Sequence, residues 1–330
     1  MNARHACRTG CVTLALATVA FTALIIGTGE SARAQFPDLV DFSAGYLPDV
    51  PIEVPGHAGV RAQVASYNVA VNVPIVLSPK TFLVPGLAYR VDAVSYLNAP
   101  DGFAELRAFH ALEVPLLFAQ LLPHDWTLAL RVAPGVASDF RDIDTGALRL
   151  SGAALAVHAF SDEVSLGFGA IASYGFGSFM VLPALLLTLG SDDALVAFEL
   201  MVPAFAKFKV RAAPGLELGL RAEVSGSSYQ VSDPRVAKRW PCVDGELPAD
   251  ASRCFDNLAY SVVDASAYVA VNVWGTLWLD LSVGHTLYRR FEAYDADGEQ
   301  DADGGDVGGQ DLPNTWGTRV GLTLRLPSGP

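Results

Sequence analysis

The chain has 330 residues, a net charge of −13 and 51% hydrophobic residues, with a mean hydropathy of +0.33. So acidic a surface does not suit phosphate binding, which needs lysine and arginine patches, and nucleic acid is excluded as a partner. So apolar a composition is unusual for a chain that otherwise lacks long apolar runs, and that tension frames the reading.

The first 34 residues read as a secretory signal peptide. Arg4 and Arg8 precede an apolar run from Val12 to Ile26, and Ser31-Ala32-Arg33-Ala34 supplies the small-residue cleavage pattern, so Gln35 is the expected first mature residue. The run is shorter than the ~18–20 residues a helical span needs. Residues 35–330 then form a single domain. Removing Arg4, Arg8, Arg33 and Glu30 makes the net charge about −15. Cys7 and Cys11 leave with the signal, and the remaining pair, Cys242 and Cys254, is expected to form a disulfide in an oxidising compartment.

Beyond Ile26 the longest apolar block is Phe179 to Leu189, 11 residues with a proline inside. The chain instead alternates. Asp38 to Tyr46 gives a first strand, followed by Val60 to Val73, Thr81 to Tyr96 and Phe103 to Gln120. Leu106, Ala108, Leu112, Val114, Leu116 and Phe118 of the last share one parity. Trp126 to Val136 sets Leu128, Leu130 and Val132 against Ala129, Arg131 and Ala133, and Ala147 to Phe160 is less regular. Val164 to Tyr174 alternates Leu166 and Phe168 with Gly167 and Gly169. Ala194 to Arg211 divides at Val202-Pro203, because proline cannot donate to a ladder. From Leu216 to Val224, Leu216, Leu218 and Leu220 oppose Glu217, Gly219, Arg221 and Glu223. Near the end Leu277, Leu279 and Leu281 oppose Trp278 and Asp280.

Short turns fall at Pro79-Lys80, 122–125, 161–163, 191–193, 213–215 and Trp274-Gly275. Longer loops fall at 47–57, 97–102, 139–146, 175–178, 226–257 and 291–314. That asymmetry is the pattern of an all-β, antiparallel, up-and-down transmembrane barrel with 12–14 strands, 14 on this count. A soluble two-layer sandwich shows the same alternation but not the turn asymmetry. On the barrel reading the leucines face lipid. Arg131, Glu217, Arg221, Glu223 and Asp280 line the lumen, where Gly167, Gly169, Gly219, Ala129 and Ala133 leave space.

The stretch Arg319-Val320-Gly321-Leu322-Thr323-Leu324-Arg325-Leu326 resembles the last-strand signal of bacterial outer-membrane proteins, with Leu326 in the usual aromatic place. The resemblance implies recognition by the barrel-assembly machinery. Three further stretches, VNVPIVLSPKTFLVPGLAYR, ALEVPLLFAQLLPHDWTLALRVAPGVASDF, and LVAFELMVPAFAKFKV with LELGLRAEVSGSSYQV, resemble an uncharacterised bacterial outer-membrane β-barrel family, a domain of unknown function. This resemblance implies the fold and a place in Gram-negative outer-membrane lipid. It brings no substrate and no catalytic residues.

No catalytic constellation stands out. Of the histidines His57, His110, His124, His158 and His285, His124 sits in a short turn, His110 and His158 share a parity with apolar neighbours and His285 has no serine at a helpful spacing. Packed or rim histidines are the reading, and no phosphate loop, nucleophile elbow or zinc-helix motif occurs. Residues 295–306 read DADGEQDADGGD. Glu299, Asp301 and Asp303 with Gly304 match the first half of a calcium loop, but Gln310 stands where a bidentate glutamate belongs. Two function classes follow. One is a passive pore or selective channel for small polar or charged solutes. The other is a structural or surface-interaction barrel displaying loops 226–257 and 291–314, with no transport.

Overall fold

A computed structural model describes residues 37–52, 58–98, 106–175, 178–191, 194–232, 256–294 and 310–325. The signal segment, Cys242, Cys254, Glu299, Asp301 and Asp303 lie outside the described residues. The strand segments are β1 (Val40–Pro51), β2 (Arg61–Asn72), β3 (Ile75–Ser78), β4 (Thr81–Leu97), β5 (Leu106–Glu113), β6 (Leu116–Leu122), β7 (Trp126–Ser138) and β8 (Leu148–Ser161). They continue with β9 (Val164–Gly175), β10 (Ser178–Leu189), β11 (Val196–Val202), β12 (Phe205–Ala213), β13 (Leu216–Gln230), β14 (Asn257–Trp274), β15 (Leu277–Tyr294), β16 (Gln310–Asp311) and β17 (Trp316–Leu324).

Three pairs of segments are single strands broken by a proline. Pro74 separates β2 from β3, Pro115 separates β5 from β6, and Pro313 lies between β16 and β17. Each ring lacks the N–H that would continue the ladder, yet both pieces pair with the same neighbour. The wall therefore has 14 strands. Each pairs antiparallel with the next, and β17 pairs with β1 from Val40↔Leu324 to Tyr46↔Thr318, closing the sheet on itself. Both strand-count expectations hold: Asp38–Tyr46 begins the first strand, and the chain turns at Val202-Pro203 between β11 and β12. The closed wall excludes the two-layer sandwich.

Alternation now has a physical outside. Leu130, Phe168, Leu185, Leu220 (60% exposed), Leu281 and Val320 all point outward, far more apolar surface than a water-soluble chain tolerates. Aromatic residues ring both ends: Trp274 (82% exposed) and Phe160 near the short turns, and Tyr46, Tyr67, Phe179 and Trp316 near the opposite rim. An apolar band between aromatic girdles is the surface of an outer-membrane barrel. No helix among the described residues is long and apolar enough to cross a membrane.

The long-loop side differs from expectation. Parts of 47–57, 226–257 and 291–314 are strand: β1 runs to Pro51, β13 to Gln230 and β15 to Tyr294. The reason lies in burial. Gly226 to Val231 and Asn257 to Val262 are buried residue after residue, with no alternation, because both faces of this hairpin meet protein.

Candidate functional site: a roofed, charged lumen

The described upper ends of β13 and β14, as far as Ser232 and from Asp256, leave the wall and cross the outer mouth. Gln230 pairs in parallel with Ser138 of β7, on the opposite side of the ring. The Tyr229 hydroxyl donates to Asp92 Oδ2 of β4 at 2.5 Å, while Ser66 donates to Oδ1 at 2.6 Å and Arg90 Nε bonds Oδ2 at 3.0 Å. Arg149 of β8 donates from Nε to Ser228 Oγ at 3.1 Å and from Nη1 to the carbonyls of Gly146 and Leu148. Ser232 donates to Asp139 Oδ1 at 2.6 Å.

Beneath these bonds lies an apolar cap of Val64, Val94, Phe109, Tyr229, Leu258, Tyr260 and Phe291, with Tyr229 stacked on Phe109 at 5.2 Å. Burying such side chains stabilises by about 1.5–3 kcal/mol each, against about 0.5–1.5 for a neutral hydrogen bond. Packing therefore holds the roof, and the polar contacts fix where it lands.

Under the roof, a cavity of about 130 Å³ descends from Ser227 and Ser228 past Arg149, Arg131, Glu113 and Arg90 to Asn72 and Pro37. Arg131 Nη1 donates to Ser151 Oγ at 3.3 Å and its other nitrogen stands 3.8 Å from Glu113. Among the described residues, three guanidinium groups and one carboxylate line this space, and Asp92 sits behind Arg90.

On the opposite wall the structure gathers the remaining residues singled out in sequence. Arg221 lies 3.3 Å from Asp280 and 3.5 Å from Glu223, and Glu223 also accepts from Arg319 at 2.9 Å. Glu217, only 3% exposed, accepts from Arg325 at 3.2 Å, whose guanidinium lies over the Trp278 ring at 4.2 Å. Arg131 stands apart from this group. Partly exposed ion pairs contribute about 0–1 kcal/mol each, so the network sets the field inside the barrel more than its stability.

Sequence reasoning missed Arg90, Asp92, Glu113, Arg149, Tyr229, Arg319 and Arg325. Parity carried a signal for two of them, since Arg90 and Asp92 alternate with Tyr89 and Val91. Arg319 and Arg325 stand in the sequence only as members of the terminal strand.

The small residues do not leave the space expected of them. A Cβ on Gly219 would meet the Phe208 carbonyl at 2.3 Å and the Tyr268 ring at 2.5 Å; one on Gly167 would meet Val157 at 2.9 Å; one on Gly169 would strike the Ala154 carbonyl. Ala129 and Ala133 are buried. Neighbours close over these positions, and the side of the lumen that carries Gly167, Gly169 and Ala129 is a packed apolar lobe of Phe82, Leu155, Val157, Ile171, Leu186 and Met201. Among the described residues, no group of three or more His, Cys, Asp or Glu is arranged to hold a metal ion.

A closed 14-strand barrel with this outer band defines an outer-membrane β-barrel protein. The family model that matches is a domain of unknown function, DUF6268, over residues 106–243. No curated protein matches. Among solved structures, the chain is similar to an outer membrane channel from Pseudomonas putida F1 at 10% identity and a TM-score of 0.45, covering 88% of this chain and 97% of that one. It is similar also to the P. putida toluene transporter TodX at 7% identity and 0.35, covering 88% and 91%. LpxR from Salmonella typhimurium is similar at 10% and 0.33, covering 87% and 99%. These are likenesses of architecture.

Proposed function

We propose that the chain is an outer-membrane channel for small polar or charged solutes, with its outer mouth held shut by the upper ends of β13 and β14. One observation carries this reading: a cavity lined by Arg90, Arg131, Arg149 and Glu113 lies directly beneath Ser227 and Ser228 of the roof. A charged inner wall biases which solutes pass, and a single hairpin that seals it supplies a gate. Planar-bilayer recording tests the proposal. The intact protein should give rare or small openings, and removing the Tyr229 ring should raise the open probability severalfold. A roof-opened barrel that still conducts nothing returns the chain to the structural, surface-interaction class. Export through cleavage before Gln35 and handling by the assembly machinery belong to the same proposal, checked by the mature N-terminus and by heat-modifiable migration from outer-membrane fractions.

A further inference from the structure

The cavity under the roof inverts the sign of the chain around it. The protein carries −13 overall, yet among the described residues the charged side chains lining the cavity are Arg90, Arg131, Arg149 and one carboxylate, Glu113. Asp92 and Asp41 are held behind that lining. Asp92 has 2% of its side chain exposed, against 24% for Arg90, and accepts from Tyr229, Ser66 and Arg90. Asp41 accepts from Asn68 Nδ2 at 3.2 Å. What a solute in the cavity meets first is therefore mostly N–H donors.

Arg90 is the member best placed to hold one. Both of its hydrogen bonds to described residues leave from Nε, at 3.2 and 3.0 Å to the two oxygens of Asp92. That bond ties one edge of the guanidinium to the wall, and Nη1 and Nη2 form the edge presented to the cavity. Two donors on a rigid planar fork match the two oxygens of a carboxylate, and the attraction is stronger in a space shielded from bulk water. Arg131 and Arg149 add positive charge from β7 and β8, their guanidiniums steadied by Ser151 and Ser228. Around the fork the wall is small and apolar. Ala111 stands directly opposite Arg90 in the sheet, and Ala88, two positions along β4, stands opposite Ala70. Glu113 stands opposite Ala88 on the other side, where a second negative charge on the solute would be repelled. The volume of about 130 Å³ gives room for roughly ten waters, or for a solute of a few carbons.

We infer that the cavity is a binding site for a small aliphatic monocarboxylate, its carboxylate on the Arg90 fork and its methylenes against Ala88 and Ala111. This rests on the channel reading above and deepens it by naming the solute. The probe is butyrate, followed by saturation-transfer NMR titration of the folded full barrel in deuterated detergent. The parent and Tyr229→Ala are both titrated, so that the roof does not limit access. Heat-modifiable migration establishes folding for every variant. Butyrate should bind saturably, butyramide at least tenfold more weakly and acetate at least fivefold more weakly. Arg90→Gln should weaken butyrate at least tenfold. Ala88→Leu, which fills the space and leaves the Arg90–Asp92 pair in place, should weaken it at least fivefold. Arg61→Gln removes the same charge from an arginine 46% exposed beside Asp49, and should change affinity less than twofold. Butyramide or acetate bound as tightly as butyrate, or no saturable butyrate in either protein, overturns the site. A Tyr229→Ala barrel that conducts but binds no butyrate overturns the site and keeps the channel. One that binds butyrate in this order but conducts nothing keeps the site and refutes the channel.

Discussion

Tyr229 and Asp92 are bonded across the width of the barrel, from β13 to β4, at 2.5 Å. Tyr229→Phe keeps the stack on Phe109 but strips one donor from a buried carboxylate, a loss of about 1–3 kcal/mol. Tyr229→Ala also removes the packed ring and should open the mouth outright. Bilayer recordings should rank open probability as alanine above phenylalanine above the parent. Identical traces for all three would mean the hairpin does not gate.

Selectivity should follow the cavity arginines. In the Tyr229→Ala background, Arg131→Glu changes the lining from three cations and one anion to two of each. The reversal potential in a salt gradient should shift toward cation preference, and an unmoved potential would place the permeation path elsewhere.

The two faces of the wall should differ in tolerance. Leu281→Lys puts an ammonium into lipid near mid-depth, at a cost of about 2–4 kcal/mol. Ser43→Lys faces inward beside Gly321, where Asp280 approaches, and should cost less than about half as much in urea titration of the folded barrel. Gly219 is not a fair comparator, because Tyr268 already occupies its space.

Cys242 and Cys254 bracket 11 residues including Gly245 and Pro248. Loop entropy alone suggests roughly 3 kcal/mol for such a ring. Cys242→Ser should expose the segment to protease while leaving barrel melting nearly unchanged. Free thiols at both positions in native protein would disprove the pairing. Calcium, if the 299–310 stretch takes it, should slow cleavage in that stretch and be reversed by chelator.

Legibility divides along the same line as the burial pattern. Leu216 to Val224 declares its faces because one side meets lipid and the other meets charge, so period two survives into the sequence. The next stretch, Ser225 to Gln230, reads SGSSYQ, and it is unintelligible as a wall because it has left the wall. A hydroxyl reaching a carboxylate 137 positions away has no local periodicity to announce it. Glycines misled for a related reason: Gly167 and Gly169 mark where neighbours press in, and a one-dimensional reading takes the missing side chain for empty room. Pro203, by contrast, acts on its own backbone, and its effect was visible from the residue alone.

The seam between β1 and β17 joins the first strand to the last, with Val40 opposite Leu324 at the short-turn rim. No intermediate lacking the final segment can satisfy its edges, so a nascent chain remains an open ribbon until all of it has been delivered. The same adjacency makes the ring indifferent to where it is cut. A short linker joining Arg325 to Pro37, with new ends opened at Pro79-Lys80, should give a permuted chain that threads the same 14 strands in a shifted order.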